Sequence, residues 1–173
     1  ETYVEIIDKL GLPMVVKPAN AGSSVGISKV EEESELEGAI QLAFKYDRKI
    51  IIEEYLDGRE LEVAVLGNEN PVPSPPGEIV TQFYSYKEKY SDKSQTRLDA
   101  PAQNLSEENT QLLQQEAVKA FQALQCEGMA RVDFFLTEKG LYINEINTIA
   151  GFTNISMYPN LFEVAGIKKK DVI

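Results

Sequence analysis

The sequence contains no histidine, only one cysteine, and far fewer basic than acidic residues. Without histidine, Ser-His-Asp and Cys-His catalysis and histidine-based zinc sites are excluded. The single cysteine, Cys126, cannot form an internal disulfide, so we expect a reducing, cytoplasmic environment. Acidic residues number 28 and basic residues 17, a net charge of −11 that argues against a nucleic-acid partner. No apolar run is long enough to span a membrane, so we expect no membrane partner.

Apolar periodicity and the glycine and proline positions predict strands alternating with helices, several of the strands being linked as hairpins. Such an order indicates an α+β (mixed α/β) fold. The segment 83–101 is polar and aperiodic, which is typical of a functional or disordered connection. The predicted strands are 13–18, a second strand ending at residue 30, 49–54, 60–66, 129–136 and 141–147; the predicted helices are 2–10 (the last turns of a helix), 31–46, one running from 106 to a stop at Gly128, and 161–165.

A loop rich in glycine and serine follows the first predicted strand. It reads Lys-Pro-Ala-Asn-Ala-Gly-Ser-Ser-Val-Gly over 17–26. Gly22 and Gly26 let the backbone turn sharply and approach a ligand closely, and Lys17 can supply a charge to phosphate oxygens. The spacing differs from the Walker A motif, which needs Gly-Lys-Ser/Thr at the end of the loop. From these residues alone, a phosphate-binding loop and an ordinary hairpin turn both stay open.

Acidic and amide side chains follow the last two predicted strands. Because side chains alternate along a strand, Arg131 shares one face with Asp133, and Glu145 shares one with Asn147. A three-residue turn at 138–140, with its glycine in the left-handed conformation, sets Asp133 opposite Glu145. The same register sets Arg131 opposite Asn147. Neighbouring carboxylates require a cation, and oxygen ligands suit Mg²⁺, so we favour a magnesium site over an exposed polar face.

A third candidate lies at the end of the strand 49–54. Glu53, Glu54, Tyr55 and Leu56 are followed by Glu60. A strand end with free backbone groups and nearby acids could hold an adenine edge and ribose hydroxyls. On these residues alone, an ordinary strand-turn-strand is the preferred interpretation.

Further short motifs accompany these groups along nearly the whole chain. They are Val-Lys-Pro-Ala at 16–19, Gly-Ser-Ser-Val-Gly-Ile-Ser-Lys-Val at 22–30, Glu-Val-Ala-Val-Leu-Gly-Asn at 62–68, Gly-Glu-Ile at 77–79, Phe-Tyr-Ser-Tyr-Lys-Glu-Lys-Tyr at 83–90, Ala-Arg-Val-Asp-Phe-Phe at 130–135, Asn-Glu-Ile-Asn-Thr at 144–148, Gly-Phe-Thr at 151–153 and Ser-Met-Tyr-Pro at 156–159. Together they resemble the D-alanine–D-alanine ligases of the ATP-grasp superfamily. The last three motifs are specific to those ligases among ATP-grasp proteins.

The resemblance implies an ATP-grasp fold in which a central subdomain, 1–59, and a carboxyl-terminal subdomain, 60–173, sandwich ATP. It also implies a role for each candidate residue. Lys17, Gly22, Ser23, Ser24 and Lys89 would bind the phosphates; Glu53, Glu54, Tyr55, Leu56 and Glu60 would bind adenine and ribose; Asp133, Glu145 and Asn147 would bind two Mg²⁺ (or Mn²⁺) ions; Ser23 and Tyr90 would act near the transferred group; Arg131 and the Gly151 amide would stabilise the oxyanion; Ser156 and Met157 would position the second substrate.

The implied reaction joins two D-alanines for peptidoglycan through a D-alanyl phosphate, with Lys89 and Tyr90 closing over the site. Because the family's amino-terminal domain, the start of its central domain and its final helix have no counterpart here, we expect an incomplete enzyme that is inactive alone. When full length, the protein is expected to be a homodimer. Ala150 stands where the family usually has proline, which would loosen the loop without removing a ligand.

Two alternatives stay open beside the ligase assignment. A D-alanine–D-serine or D-alanine–D-lactate ligase shares the same scaffold and differs in the second substrate, and Tyr90 favours an amine nucleophile. A non-catalytic ATP-binding module belongs to another class, and the converging carboxylates argue against it.

Overall fold

The structure of the chain, a computed structural model, describes residues 2–22, 24–81, 96–153 and 155–172. The chain divides into two compact units, Glu1–Leu56 and Asp57–Ile173. Within the described ranges, no helix is both long and apolar enough to cross a lipid bilayer.

The first unit contains two helices and three strands. In chain order they are α1 (Tyr3–Leu10), β1 (Met14–Pro18), β2 (Ser28–Val30), α2 (Glu33–Ala43) and β3 (Ile50–Glu54). The strands form one antiparallel sheet in the order β2-β1-β3. Its alternate apolar side chains point toward the helices, as a sheet covered on one face requires. The buried core is formed by Met14, Val16, Val30, Leu36, Ala39 and Ala43.

Helix α1 has a complete amino-terminal cap. The Thr2 N–H donates to the Glu5 carboxylate at 2.7 Å, and the Thr2 hydroxyl accepts from the Glu5 N–H. This reciprocal pair satisfies N–H groups that have no partner inside the first helical turn. The prediction that residues 2–10 are the last turns of a longer helix is therefore wrong, because the helix begins at Tyr3.

The second unit is built on a larger antiparallel sheet. Its elements are β4 (Arg59–Gly67), β5 (Val72–Pro73), β6 (Gly77–Thr81), β7 (Thr96–Asp99), α3 (Glu107–Ala123), β8 (Gly128–Thr137), β9 (Gly140–Asn147), α4 (Met157–Val164) and a 3-10 turn (Lys169–Asp171). The strand order is β7-β6-β4-β8-β9, and β5 also pairs with β4. Every pairing in this sheet is antiparallel.

The two faces of this sheet are covered by different helices. On one face α3 packs on the apolar side chains of β4 and β8; this core consists of Leu61, Val63, Val65, Leu113, Ala117, Phe121, Ala130, Val132 and Phe134. On the other face α4 packs beside Ala64, and the Tyr158 hydroxyl donates to the Val65 carbonyl at 2.9 Å. Burial raises the pKa of Tyr158, so this hydroxyl stays protonated. The face under α4 also carries the polar side chains of β4.

Most predicted elements are confirmed, including the strands that become β1, β3, β4, β8 and β9. Two helices differ most from their predicted bounds. Helix α3 ends at Ala123 rather than near Gly128, because Gln125 already takes a left-handed φ of 52°. Helix α4 begins at Met157, four residues before the predicted start. The strands β5, β6 and β7 were missed, since prolines and a long polar segment obscure their alternation.

Gly77 lies directly opposite Glu62, where α4 meets the sheet. A Cβ at Gly77 would stand 2.7 Å from Sδ of Met157 and 2.9 Å from Cδ2 of Leu161. We therefore expect Gly77→Ala to lower the free energy of unfolding by about 1–3 kcal/mol. In Gly38→Ala, the added Cβ of a mid-helix glycine meets nothing within 4 Å, and this control should gain stability. Urea unfolding of both variants tests the contrast, and an unaltered Gly77→Ala midpoint would contradict it.

Candidate active site

The hairpin β8–β9 brings the predicted metal residues into register. Asp133 lies opposite Glu145 and Arg131 opposite Asn147, as the sequence predicts. The predicted three-residue turn is wrong, because Thr137 pairs directly with Gly140 across a two-residue turn. That one-residue difference is cancelled by a bulge between Asp133 and Phe134, which returns the register to the predicted one.

Arg131 is the centre of the charged side chains on this face. Its Nε and Nη2 donate to the two carboxylate oxygens of Asp133, each at 2.7 Å. Its Nε also lies 3.3 Å from Oε1 of Glu62, which lies on β4. A guanidinium in the middle of a sheet needs such paired acceptors, since an uncompensated buried charge is costly. Among the described residues, Nη1 makes no hydrogen bond, so that end of the guanidinium can meet a ligand oxygen.

Glu62 is a site residue that the sequence reasoning missed as such. It lies opposite Asp133 on β4, so Glu62, Asp133 and Glu145 form a row of carboxylates across three adjacent strands. Only 3% of Glu62 is exposed, and among the described groups its Oε2 has no hydrogen-bond partner. The available signal was an acid inside the apolar run 61–66, at a position where a buried strand normally has an apolar side chain.

The pKa values reflect this excess of negative charge. Burial, reinforced by the charge of Asp133, raises the pKa of Glu62 to about 7. Burial also raises the pKa of Asp133, and the hydrogen bond from Arg131 opposes that shift. For Arg131, burial lowers the pKa, but the hydrogen bond and charge of Asp133 and the other acids outweigh it, so the guanidinium stays protonated. The row thus holds more negative charge than one guanidinium neutralises.

This charge excess fits a divalent cation. Carboxylate and amide oxygens, such as those of Asp133, Glu145 and Asn147, are the ligands that Mg²⁺ or Mn²⁺ prefers. Within the described parts of the chain, no group of three His, Cys, Asp or Glu residues is arranged to hold a metal ion. Both oxygens of Asp133 contact Arg131, and Oδ1 of Asn147 accepts from the Ile149 N–H at 3.1 Å. The predicted set of Asp133, Glu145 and Asn147 stays a prediction.

The loop after β9 carries the residues predicted to meet the second substrate. Oγ of Ser156 accepts from the Thr153 N–H at 2.9 Å and contacts the Thr153 hydroxyl at 2.8 Å. A Cβ on Gly151 would lie 3.0 Å from the same Oγ, so this close approach favours glycine. The side chain of Met157 lies in the core, so any contact with a ligand would come from its backbone. Ala150, in place of the usual proline, is buried in that core.

The residues predicted to bind nucleotide in the first unit lie along β1 and β3. The ammonium of Lys17 pairs with the Glu53 carboxylate at 2.5 Å. The ammonium of Lys29 stands 4.3 Å from the centre of the Tyr55 ring. The Tyr55 N–H donates to the Pro13 carbonyl, so the expectation of free backbone groups at this strand end fails for that group. Glu54 is exposed, whereas Leu56 is half-buried.

The glycine-rich loop joins β1 to β2, whose antiparallel pairing confirms the predicted hairpin. Ser24 and Gly26 both take left-handed backbone conformations, at φ of 57° and 76°. Gly22 accepts from the Val25 N–H through its carbonyl, which closes a turn. Ser23, Lys89 and Tyr90 lie outside the described residues. Glu60, of the predicted ribose set, is half-buried on β4 in the second unit.

Comparison with known proteins gives a consistent picture. The family model described as "D-ala D-ala ligase C-terminus" matches residues 1–173. The D-alanine–D-alanine ligase A of Chromobacterium violaceum is 52% identical over 171 residues, covering 97% of this chain and 46% of that protein. The D-alanine–D-alanine ligase of Proteus mirabilis is 51% identical over 175 residues, covering 99% of this chain and 48% of that protein.

Two solved structures are also similar. The D-alanine-D-alanine ligase from Coxiella burnetii has a TM-score of 0.82 at 39% identity, covering 98% of this chain and 45% of that one. A D-Ala:D-Ser ligase from Enterococcus faecalis has a TM-score of 0.89 at 40% identity, covering 98% of this chain and 50% of that one. The chain therefore spans about half the length of the relatives it matches.

The pKa of Glu62 makes stability depend on pH in the absence of divalent cations. Because the folded-state pKa is raised from 4.5 to about 7, its stabilising contribution is complete below pH 4.5 and is lost as pH rises to about 7. Glu62→Gln removes this dependence, so its stability relative to the parent protein should rise between pH 5 and pH 8 by on the order of 2 kcal/mol.

Urea unfolding at several pH values with a chelator present measures this difference. The control is Glu116→Gln, which breaks an exposed ion pair with Lys119 on α3 and should shift stability by at most about 1 kcal/mol. A Glu62→Gln difference that is the same at pH 5 and pH 8 would show that the carboxyl is not titrating in this range.

Proposed function

Because this chain belongs to the D-ala D-ala ligase C-terminus family, we propose that it forms the ATP-binding part of an ATP-dependent ligase that joins D-alanine to D-alanine. The α+β, ATP-grasp fold expected from the sequence is confirmed by the similar ligase structures. The product is the dipeptide required for peptidoglycan, and the two subdomains would be 1–59 and 60–173.

The observation that carries the proposal is the half-buried guanidinium of Arg131 beside a row of carboxylates. Carboxylate–amine ligation develops negative charge on a phosphoryl group and on a tetrahedral carbon, and it needs no protein nucleophile. A protein without histidine can do this with fixed charges alone. A module that only bound nucleotide would have no use for carboxylates that converge beside a guanidinium.

The residues of this chain would divide the work by their chemistry. Nη1 of Arg131 would donate to the developing oxyanion together with the Gly151 N–H, because charge-assisted donors act most strongly where water is excluded. Ser156 and the Met157 N–H would orient the second substrate. Lys17 and the backbone of Gly22 and Ser24, with Ser23 and Lys89, would bind phosphate oxygens; Glu53, Glu54, Tyr55, Leu56 and Glu60 would bind adenine and ribose.

Asp133, Glu145 and Asn147 would hold the divalent cations that accompany ATP. Bound there, Mg²⁺ or Mn²⁺ would neutralise phosphate charge during transfer. Tyr90 would act on the second substrate, where it favours an amine over a hydroxyl nucleophile.

A D-alanine–D-serine ligase is the second candidate. The D-Ala:D-Ser ligase from Enterococcus faecalis is as similar in fold as the D-alanine ligase from Coxiella burnetii. The arrangement of Arg131 and its carboxylates would serve both reactions equally, so the choice depends on residues that contact the second side chain.

The function is tested with the complete protein that contains this chain. We expect ATP-dependent phosphate release with D-alanine and formation of D-alanyl-D-alanine, measured by a coupled assay and by mass spectrometry. Offering D-serine and D-lactate beside D-alanine decides the second substrate. If neither D-alanine, D-serine nor D-lactate led to phosphate release, ligase function would be contradicted. If D-alanyl-D-serine formed in excess of D-alanyl-D-alanine, the second candidate would be favoured. The 173 residues alone should make no dipeptide.

Asp133→Asn and Glu145→Gln test the metal assignment in the same protein. Loss of a ligand should cost on the order of several kcal/mol of activation barrier, because phosphoryl charge is then left uncompensated. If the same side chains were surface ion pairs only, the effect would be about 0–1 kcal/mol. Turnover is measured at saturating Mg²⁺, with Glu116→Gln as the control. Activity within a few-fold of the parent would reject these ligands.

A further inference from the structure

Glu62 has no role in the proposed chemistry as derived so far. Its side chain is 4% exposed, on a strand whose neighbouring residues Leu61 and Val63 are core. One oxygen contacts Arg131 at 3.3 Å, and among the described groups the other has no partner. A buried carboxylate is costly, and an apolar side chain here would be more stable, so the position calls for a functional reason.

Asp133 is both the partner of Arg131 and a proposed ligand of the divalent cation. In the structure its two oxygens accept both hydrogen bonds that Arg131 donates. A divalent cation on Asp133 would place two positive charges against one carboxylate, and their repulsion would weaken the pair with Arg131. If nothing replaced that interaction, the guanidinium would lose the contact that orients it.

We propose that Glu62 is the positioning residue that keeps Arg131 in place when a divalent cation occupies Asp133. This inference rests on the proposed function. Glu62 acts through Arg131 and touches no substrate itself.

In this sheet, Arg131 needs only a short movement to exchange Asp133 for Glu62 as its partner. Glu62 lies directly opposite Asp133 on the adjacent strand, where side chains on one face stand about 4.5–5.5 Å apart at Cβ. Arg131 lies opposite Ala64, whose small side chain leaves the guanidinium space between the two acids. Nε already contacts both carboxylates, so a small rotation toward Glu62 gives the unpartnered oxygen a donor as well.

The charge count is consistent with the same exchange. Without a cation, Glu62 and Asp133 both contact one guanidinium, and the exposed Glu145 lies opposite Asp133 on β9. With a cation on Asp133 and Glu145, Glu62 remains as the partner of Arg131. Each positive group then has its own acid, and no buried carboxylate is left uncompensated.

The test uses Glu62→Met and Glu62→Gln in the complete ligase. For Glu62→Met we expect kcat to fall about ten- to hundred-fold while KM for ATP changes little, since a misoriented oxyanion donor slows the chemical step. Glu62→Gln keeps an acceptor oxygen for Nε and should fall between Glu62→Met and the parent. Equal kcat in all three proteins would overturn the proposal.

Two readouts do not depend on turnover. The first is Mn²⁺ binding with a non-hydrolysable ATP analogue, followed by electron paramagnetic resonance. Since Arg131 then competes for Asp133 without an alternative partner, the Mn²⁺ dissociation constant of Glu62→Met should rise about three- to ten-fold. The second is the melting temperature without metal, which should be unchanged or higher in Glu62→Met. A lower melting temperature with unchanged Mn²⁺ affinity would assign Glu62 a merely structural role.

A double-mutant cycle with Arg131→Met shows whether Glu62 acts through Arg131. In that background Glu62→Met should have no further effect on kcat, and multiplying effects would contradict the proposal. The matched control is Glu78→Gln, which alters another carboxylate–arginine pair, Arg59–Glu78, on the opposite face of the same sheet. It should leave the Mn²⁺ dissociation constant unchanged. A parent protein that makes no dipeptide would contradict the proposed function, whereas the Mn²⁺ and melting data would still test Glu62.

Discussion

The guanidinium of Arg131 is held between the carboxylates of Glu62 and Asp133, on two central strands of the larger sheet. Charges at such a depth are tolerated only when their partners are fixed, and here the partners are fixed by the register of β4, β8 and β9. A shift of one residue in either pairing would turn these side chains to opposite faces. The register of the sheet therefore also determines which charged side chains meet in the site.

The packing of helix α4 depends on the small residues that neighbour these charges. It packs on the face that carries the charges, and it can do so only where that face has little side-chain volume. Ala64 lies opposite Arg131 and Gly77 lies opposite Glu62, so the small residues of the sheet neighbour the charged ones. Met157 fills the space that Gly77 leaves. The loop that precedes α4 is thereby anchored beside the strand that carries Arg131.

The alternation of side chains along β8 and β9 predicted which residues face each other in the site, but it did not predict the turn between the two strands. Asp133 opposite Glu145 followed from side chains that share a face, and the apolar residues between them fix which face is buried. The two-residue turn and the compensating bulge could not be predicted, because each alters the register by one residue and the two alterations cancel. Glu62 was missed for a related reason. Its role depends on a strand more than sixty residues away in sequence, and the sequence itself shows only an acid in an apolar run.

A similar pair of a basic and an acidic side chain, both proposed to bind ligand, occurs in the first unit. Lys17 is mostly buried and pairs with Glu53, although the proposed function gives Lys17 to phosphate and Glu53 to the nucleoside. Phosphate oxygens would replace the carboxylate as partner of the ammonium, and Glu53 would then accept from hydroxyl or amino groups of the ligand. Without ligand, the ammonium of Lys17 is held against Glu53 on β3. In both units, then, a ligand would exchange partners within an existing charge pair, and this costs less than burying a new charge.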